Sequence, residues 1–231
     1  MKKSIKVLIT VLAGLVLLAI FFFVRTNEPL PKGEKGTRAD ALATKLLQAV
    51  NAEAYDTTRY LEWHFRGIHH YQWDKKLHEV RLNWDNNAVT LYPNSPERNQ
   101  VYQGGKELYE EKKKELIDKA TDFFNNDSFW LVAPYKVFDE GVERRLVVHE
   151  GREALLVTYT GGGSTPGDSY LWILDSTGLP ERFKMWVSII PIDGVEGTWE
   201  GWKTTESGAI LSSKHKLFGL TLDMGEIKAY N

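Results

Sequence analysis

The chain has 231 residues and a formal net charge of −2, with 29 Lys and Arg, 31 Asp and Glu, and no cysteine. Residues 1–37 carry six basic side chains and two acids, and the remainder carries 23 basic and 29 acidic side chains, with no basic stripe for a nucleic acid to bind. The lack of cysteine excludes disulfides, thiolate catalysis, Cys-ligated zinc and acylation of an N-terminal cysteine.

The first 27 residues predict a signal anchor. Lys2, Lys3 and Lys6 precede residues 7–24, an uncharged apolar run of 18 residues. At ~1.5 Å per residue this run is just long enough to cross a hydrocarbon core of ~30 Å. No small-residue cleavage pattern follows it. Because the lysines favour the cytoplasm, we predict a single-pass inner-membrane protein whose C-terminal domain lies in the periplasm or at the cell exterior.

A linker and then one domain follow the anchor. Residues 28–37 hold two prolines and two glycines among charged residues, which is typical of a linker. Residues 38–231 suffice for one domain with a sizeable core. Thr37 and Asp40 form a helix-start pattern, and apolar residues follow at helical spacing. The sequence therefore predicts an amphipathic helix over 38–53.

Strict alternation of apolar and polar residues over 61–73 predicts one long strand. Its apolar face consists of Leu61, Trp63, Phe65, His69, Tyr71 and Trp73. Polar turns at 74–76 and 85–87 separate it from two shorter strands at 80–84 and 89–91. This pattern predicts an antiparallel meander.

A second amphipathic helix is predicted over 106–126, with an apolar side made of Tyr109, Leu116, Ala120, Phe123 and Phe124. The C-terminal half predicts strands separated by turn residues, at 142–149, 153–160, 169–175, 182–190, 197–206, 208–216 and 220–228. Strands and helices do not alternate along the chain, so the sequence does not predict a parallel sheet. The predicted fold is therefore α+β: a curved antiparallel sheet or half-open barrel of about ten strands, covered by two helices and preceded by one transmembrane helix.

This element order resembles that of the LolA/LolB-like superfamily of bacterial envelope proteins over nearly all of 38–231. Several segments also resemble those of uncharacterised Bacteroidetes envelope proteins, namely RGIHHYQWDKK (66–76), NNDSFWL (125–131), GGGSTPGDSYLWILDSTGLPERFKMWVSIIP (161–191) and WEGWKTTESGA (199–209). The resemblance implies a half-open barrel with helices over its opening. It also implies an apolar cavity that holds acyl chains or other lipid.

Aromatic residues on the predicted strands are the main candidates for binding a ligand. They offer apolar walls, and their indole and phenol groups offer hydrogen bonds at a cavity mouth. The candidates are Trp63, Phe65, Tyr71, Trp73, Trp172, Trp186 and Trp199, with Trp202 beside them. The alternative is that these residues simply form the core between sheet and helices. Arg66, His70 and Asp168 are candidates for contacting the polar end of a ligand.

The histidines near the first strand do not predict a metal site. His64 and His70 share a face, but six residues of one extended strand would separate them by ~20 Å. His70 and His78 are able to face each other across the turn at 74–76, which would give two ligands without a third. We expect no metal or cofactor.

The remaining motifs give no catalytic centre. The glycine-rich loop 160–168 lacks the features of a phosphate loop or a nucleophile elbow, and it is typical of a hairpin tip. Glu62, Asp168, Glu196 and Glu200 are available for acid–base chemistry, but nothing in their spacing selects a pair. We therefore expect no catalytic residues.

The sequence favours a non-enzymatic, membrane-anchored domain that binds a lipid or other apolar small molecule in the concave side of its sheet. One alternative is an interaction module, which the linker would allow to reach another envelope protein. A further alternative is an envelope hydrolase that uses the acids and histidines above.

Overall fold

The computed structural model describes residues 11, 12, 14, 27–161 and 165–231. Nearly all of the predicted membrane span, residues 7–24, lies outside this description. No helix within the described ranges is long and apolar enough to cross a membrane. The anchor therefore stays a prediction from the sequence.

Three α-helices are described, namely α1 Thr37–Ala49, α2 Ala52–Thr57 and α3 Glu110–Val132. The prediction of one helix over 38–53 is wrong beyond residue 49, because Asn51 adopts a left-handed φ of 56° between α1 and α2. Asn tolerates this conformation better than most residues do. Its amide nitrogen donates a hydrogen bond to the Gly208 carbonyl oxygen at 2.9 Å, so a tertiary contact fixes the break.

Helix α3 begins and ends later than the predicted 106–126. Residues 106–107 form a short strand instead. Tyr109, predicted on the apolar side, precedes the helix and is exposed. At the other end, Asp127 and Leu131 are buried and continue the helical spacing of the buried residues before them. The helix therefore extends to Val132.

Fifteen strands are described. Their bounds are β1 Tyr60–Phe65, β2 His69–Asp74, β3 Glu79–Trp84, β4 Asn87–Leu91, β5 Gln100–Gln103, β6 Lys106–Glu107, β7 Val142–His149, β8 Arg152–Tyr159, β9 Ser169–Leu174, β10 Pro180–Trp186, β11 Val195–Thr198, β12 Glu200–Thr204, β13 Ile210–Leu217, β14 Leu220–Asp223 and β15 Lys228–Tyr230. Short 3-10 helices lie at Pro96–Arg98 and Ala133–Lys136.

These strands form two antiparallel sheets rather than one. The first sheet has the order β15-β1-β2-β3-β4-β5-β6, and the second has the order β12-β13-β11-β10-β9-β8-β7, with β14 paired to β13. The α+β class and the antiparallel pairing are confirmed. The single sheet of about ten strands is wrong, and the pairings among the described residues do not close either sheet into a barrel.

The predicted long strand over 61–73 is a hairpin. β1 and β2 pair directly, and residues 66–68 turn the chain with φ of 53° at Arg66 and 67° at Gly67. A turn of three residues leaves the odd-numbered residues on the same face before and after it. The apolar alternation is therefore unbroken, and it hides the turn.

Helix α3 joins the two sheets into one main core. It contacts β4 and β5 of the first sheet and β13 of the second. The largest fully buried side chains come from the inner faces of both sheets and include Trp63, Tyr71, Trp172 and Phe183. Helix α1 packs on β7 and β8.

The second sheet has a further apolar cluster, which consists of Ala154, Leu156, Leu171, Ile173 and Trp186. Residues alternate between the two faces of a strand, so the pairing register separates these side chains from the main core. The predicted linker lies against this part of the molecule. We call residues 27–36 the strap.

The strap runs across the strands of the second sheet. Glu28 contacts Lys184 of β10, and Glu34 forms two backbone hydrogen bonds of 2.8 and 2.7 Å with Leu146 of the edge strand β7. A line of paired residues joins the two contact points across the sheet. Leu156 of β8 pairs with Arg145 of β7 on one side and with Leu171 of β9 on the other, and Leu171 pairs with Lys184 of β10. Crossing three strand spacings needs about 14 Å, and the five steps from residue 28 to residue 33 reach about 16 Å. The strap therefore crosses β9 and β8 over the second apolar cluster.

Candidate functional site

The inner face of the first sheet presents stacked aromatic rings to helix α3. Trp63 and Tyr71 are direct partners across β1 and β2, and their rings stack with centroids 4.3 Å apart. Phe124 of α3 lies over them, and its centroid is 5.2 Å from that of Trp73. The predicted residues Trp63, Phe65, Tyr71 and Trp73 thus lie on one surface, directly beneath the helix.

A buried polar group lies beside this stack. The Oδ2 atom of Asp127 accepts a hydrogen bond from the Tyr71 hydroxyl at 2.7 Å and lies 2.6 Å from Nδ1 of His69. Asn126 donates to the other carboxylate oxygen at 2.8 Å. Burial and the adjacent carboxylate raise the pKa of Tyr71 far above its usual value. Tyr71 is therefore a hydrogen-bond donor here and a poor nucleophile, which does not favour the hydrolase alternative.

The inner face of the second sheet carries a second aromatic stack. The rings of Trp172 and Trp199 lie 5.2 Å apart, and Trp202 continues the stack at 5.7 Å from Trp199. Trp130 of α3 packs on the same group, with its ring 5.3 Å from that of His215. The helix therefore has aromatic surfaces on both sides.

Several buried polar atoms of these surfaces have no hydrogen-bond partner among the described residues. They are Nε1 of Trp63, Trp172 and Trp199, the hydroxyl of Tyr159, both ring nitrogens of His215 and, outside this group, Nε2 of His149. Buried polar groups in proteins are nearly always paired, and each unpaired one costs about 1–3 kcal/mol. Of the side chains that carry these atoms, Trp63 belongs to the first sheet and the others lie on the side of the second sheet.

His215 is neutral at physiological pH. Burial lowers its pKa to about 4, although the carbonyl groups of Trp130 and Thr198 and the charge of Glu200 act in the opposite direction. Neither carbonyl forms a hydrogen bond of normal geometry with the ring. The neutral imidazole therefore offers one donor and one acceptor to the interior.

Helix α3 occupies the region between the two sheets. Its aromatic side chains there are Phe123, Phe124, Phe129 and Trp130. Two open grooves lie elsewhere on the described surface. One, of about 500 Å³, is lined by residues of β1, β12 and β15. The other, of about 530 Å³, is lined by Leu30, Pro166, Gly167, Asp168, Trp186, Val187, Ser188, Ile190 and Asp193.

The structure divides the predicted ligand-binding residues among several places. Trp172 and Trp199 face the helix from the second sheet, opposite the group on β1 and β2. Trp186 belongs to the second apolar cluster on the other face of that sheet. Asp168 lies nearby, where its carboxylate accepts hydrogen bonds from Thr165 and from the backbone of Ser188. Arg66 and His70 lie in and after the β1–β2 turn and are exposed.

The predicted separation of His64 and His70 is wrong. Because β1 and β2 form a hairpin, the two residues are direct partners and their ring centroids lie 4.4 Å apart. His78 lies in the turn at the opposite end of β2, so it does not face His70. The described residues contain no group of three or more His, Cys, Asp or Glu able to hold a metal ion.

The remaining sequence motifs have ordinary structural roles. Loop 160–168 connects the paired strands β8 and β9 as a hairpin, and its residues 162–164 lie outside the description. Three of the four acids considered for catalysis have separate partners: Glu62 accepts from Tyr230, Glu196 from Arg182, and Glu200 lies 3.0 Å from Lys216.

Sequence reasoning missed Asp127, His69 as its partner, and His215. A signal for Asp127 was available, because it follows Phe123 by four residues and precedes Leu131 by four, which places it on the buried side of a helix. No spacing links positions 69 and 127. His215 lies on a predicted strand, but only the pairing register shows that it faces the aromatic stack.

Two antiparallel sheets packed around one long helix define an α+β protein whose core between the sheets is rich in aromatic residues. No family model and no curated protein matches the chain. A solved structure of a DUF1329 family protein from Desulfovibrio piger ATCC 29098 matches with a TM-score of 0.40 and 9% sequence identity, covering 82% of this chain and 92% of that chain. A likeness of this degree assigns no function, and the resemblance to the LolA/LolB-like superfamily stays a prediction.

Proposed function

We propose that this chain is a non-enzymatic binding protein, held at a membrane by residues 7–24, that takes a lipid or other amphiphile between its two sheets beneath α3. The observation that carries the proposal is the set of unpaired buried polar atoms on Trp63, Trp172, Trp199 and His215. These atoms come from both inner faces, and the side chains lie against or around the same helix.

An amphiphile suits both features of this interior. Ester or carboxylate oxygens would accept hydrogen bonds from the indole nitrogens, which otherwise lack acceptors. An acyl chain would pack on the stacked rings, where removal of apolar surface from water is favourable at about 25 cal/mol per Å². A polar ligand without a chain would satisfy the donors but would leave the rings without a role.

Entry of a ligand requires α3 to move, and the burial along the helix favours a hinge near its C-terminal end. Within its first half only Leu116 and Ala120 are buried, and the other residues are partly or fully exposed. The last six residues are nearly all buried and continue into the 3-10 helix Ala133–Lys136. The first half therefore has fewer apolar contacts to lose, which is typical of segments that open locally.

Photo-crosslinking in membranes tests the proposal. The full chain is reconstituted with a phospholipid whose acyl chain carries a diazirine, irradiated, digested and mapped by mass spectrometry. We expect adducts in peptides from β1–β2, α3 and β13. Adducts confined to the predicted span and to surface segments would contradict the proposal.

A pair of variants sharpens the experiment. Phe124→Ala removes a half-buried ring that touches Trp63, Tyr71 and Trp73, and we expect it to raise labelling of the inner faces several-fold. Phe218→Ala removes an exposed ring of the same size and is the matched control. Equal labelling of both variants and the unmodified chain would count against an interior site.

A further inference from the structure

The start of the strap is fixed to one end of the second sheet. The Glu28 carboxylate lies 2.6 and 2.8 Å from Nζ of Lys184, and the Glu28 carbonyl accepts a hydrogen bond from Nε1 of Trp186 at 2.8 Å. Asn27 accepts from the backbone of Asp193 at 2.8 Å, and Glu28 donates to the Asp193 carbonyl at 3.1 Å. The chain is therefore held at residues 27–28 by β10 and the loop that follows it.

This attachment limits how far that end of the sheet can lie from a membrane. The predicted span ends at residue 24, three residues before Asn27. Three extended residues reach about 10 Å at most. Asn27 must therefore lie within about 10 Å of the point where the chain leaves the hydrocarbon core, and Asp193 is hydrogen-bonded to it. Each headgroup region is about 5–8 Å deep, so this end of the sheet lies at the outer boundary of the headgroups.

The surface at that place is apolar. The 530 Å³ groove is lined by Leu30, Pro166, Trp186, Val187 and Ile190 among others. Beside it, Ile189 is 71% exposed and Leu30 is 42% exposed. Large apolar side chains with this exposure, collected around one groove, mark a contact surface.

The groove offers no positive charge to a lipid headgroup. Lys184 is paired with Glu28, and the two acids of the lining are Asp168, whose carboxylate accepts hydrogen bonds from neutral donors, and Asp193. A contact here would therefore depend on apolar insertion and not on attraction to anionic lipid.

We infer that the surface formed by Leu30 and residues 187–191 docks on the lipid bilayer, with Ile189 inserted at the boundary between headgroups and acyl chains. The inference rests on the membrane anchor of the proposed function and not on its ligand. Docking there holds the second sheet against the membrane in a fixed orientation. The opposite end of the sheet formed by β7–β10 points away from the bilayer. Val148 lies at that end, next to the last residue of β7.

Site-specific fluorescence tests the inference, since the chain has no cysteine of its own. Ile189→Cys and Val148→Cys are each labelled with the environment-sensitive dye NBD in the full chain. Val148 is the matched control, because it is also 71% exposed and lies near the far end of β7. Both proteins are reconstituted in vesicles of phosphatidylethanolamine and phosphatidylglycerol, with and without doxyl-labelled lipid.

We expect blue-shifted emission at position 189 and quenching by doxyl lipid at least several-fold stronger than at position 148. Equal emission and quenching at the two positions would overturn the inference. Blue-shifted emission at 189 without quenching would also overturn it, because it would indicate contact with protein. A chain that fails to float with the vesicles would refute the anchor and with it this inference, while native mass spectrometry of residues 27–231 would still report separately on ligand binding.

Discussion

Glu28 and Lys184 form a two-oxygen ion pair, with distances of 2.6 and 2.8 Å, between the strap and the middle of β10. The lysine side chain is 10% exposed and the glutamate side chain is 50% exposed. A segment that the sequence presents as a linker is thus part of the folded domain. Its removal would leave a cation largely buried.

Breaking this ion pair from the glutamate side destabilises the domain. We expect Glu28→Gln to lower the free energy of unfolding by about 1–2 kcal/mol, because it leaves Lys184 without its anion. Lys184→Met should be close to neutral, since the aliphatic stem is kept and no charge remains buried. Denaturant titration measures both changes. Lys114→Met, at an exposed ion pair of α3, is the control and should have little effect. A neutral Glu28→Gln variant would show that the strap does not stabilise the fold.

The close approach of the strap to β7 requires glycine at position 33. A Cβ atom there would lie 2.8 Å from Cβ of Arg145 and 2.8 Å from Cγ2 of Val147. We expect Gly33→Ala to lower the free energy of unfolding by about 1–3 kcal/mol. Gly161→Ala is the matched control, because a Cβ atom there would meet nothing within 4 Å. If the two variants unfold at the same denaturant concentration, the strap does not pack as described.

The buried carboxylate of Asp127 organises two residues of β2. We expect Asp127→Asn to cost about 1–3 kcal/mol of unfolding free energy, since an amide oxygen accepts more weakly and its NH₂ group adds donors beside Tyr71 and His69. Asp118→Asn on the exposed side of α3 should change little. Thermal and denaturant unfolding would check this, and equal stability of both variants would exclude a structural role for the carboxylate.

The buried imidazole of His215 makes stability depend on pH. Its pKa is about 4 when folded and near 6.5 when unfolded, so the unfolded chain binds more protons between these values. The contribution of His215 to the free energy of unfolding is therefore fully present above pH 6.5. It decreases by on the order of 3 kcal/mol as the pH falls toward 4. His215→Phe should remove this part of the pH dependence, whereas the exposed His64→Asn should keep it. Unfolding curves between pH 4 and 7.5 provide the comparison, and parallel profiles for the two variants would contradict the assignment.

Local pattern located most of the strand segments, but several of its bounds are wrong. The predicted strands 61–73, 197–206 and 220–228 are each two strands, the predicted strand 182–190 ends at Trp186, and β5 and β6 were not predicted. The alternation from Leu61 to Trp73 placed every apolar residue on the correct face, yet it could not show the turn at Gly67 because a three-residue turn keeps the alternation. The run from Leu171 to Leu174 is apolar at every position, which indicates a strand buried on both faces. That signal could have shown that a further segment covers the second sheet.

The candidate site could be predicted only in part. The aromatic residues of β1 and β2 were identified together, because one hairpin carries them. Trp186 was grouped with Trp172, although the register of β9 and β10 places them on opposite faces. Asp127 and His69 are 58 positions apart, and only the packing of α3 brings them together.

Native mass spectrometry of residues 27–231, produced without the anchor and without detergent, tests the central claim most directly. Cooperative unfolding of the same sample would first establish that it is folded. We predict a discrete bound mass of lipid size that organic extraction releases. A folded domain that carries no such mass, and gains none when a phospholipid or fatty acid is supplied, would contradict the account.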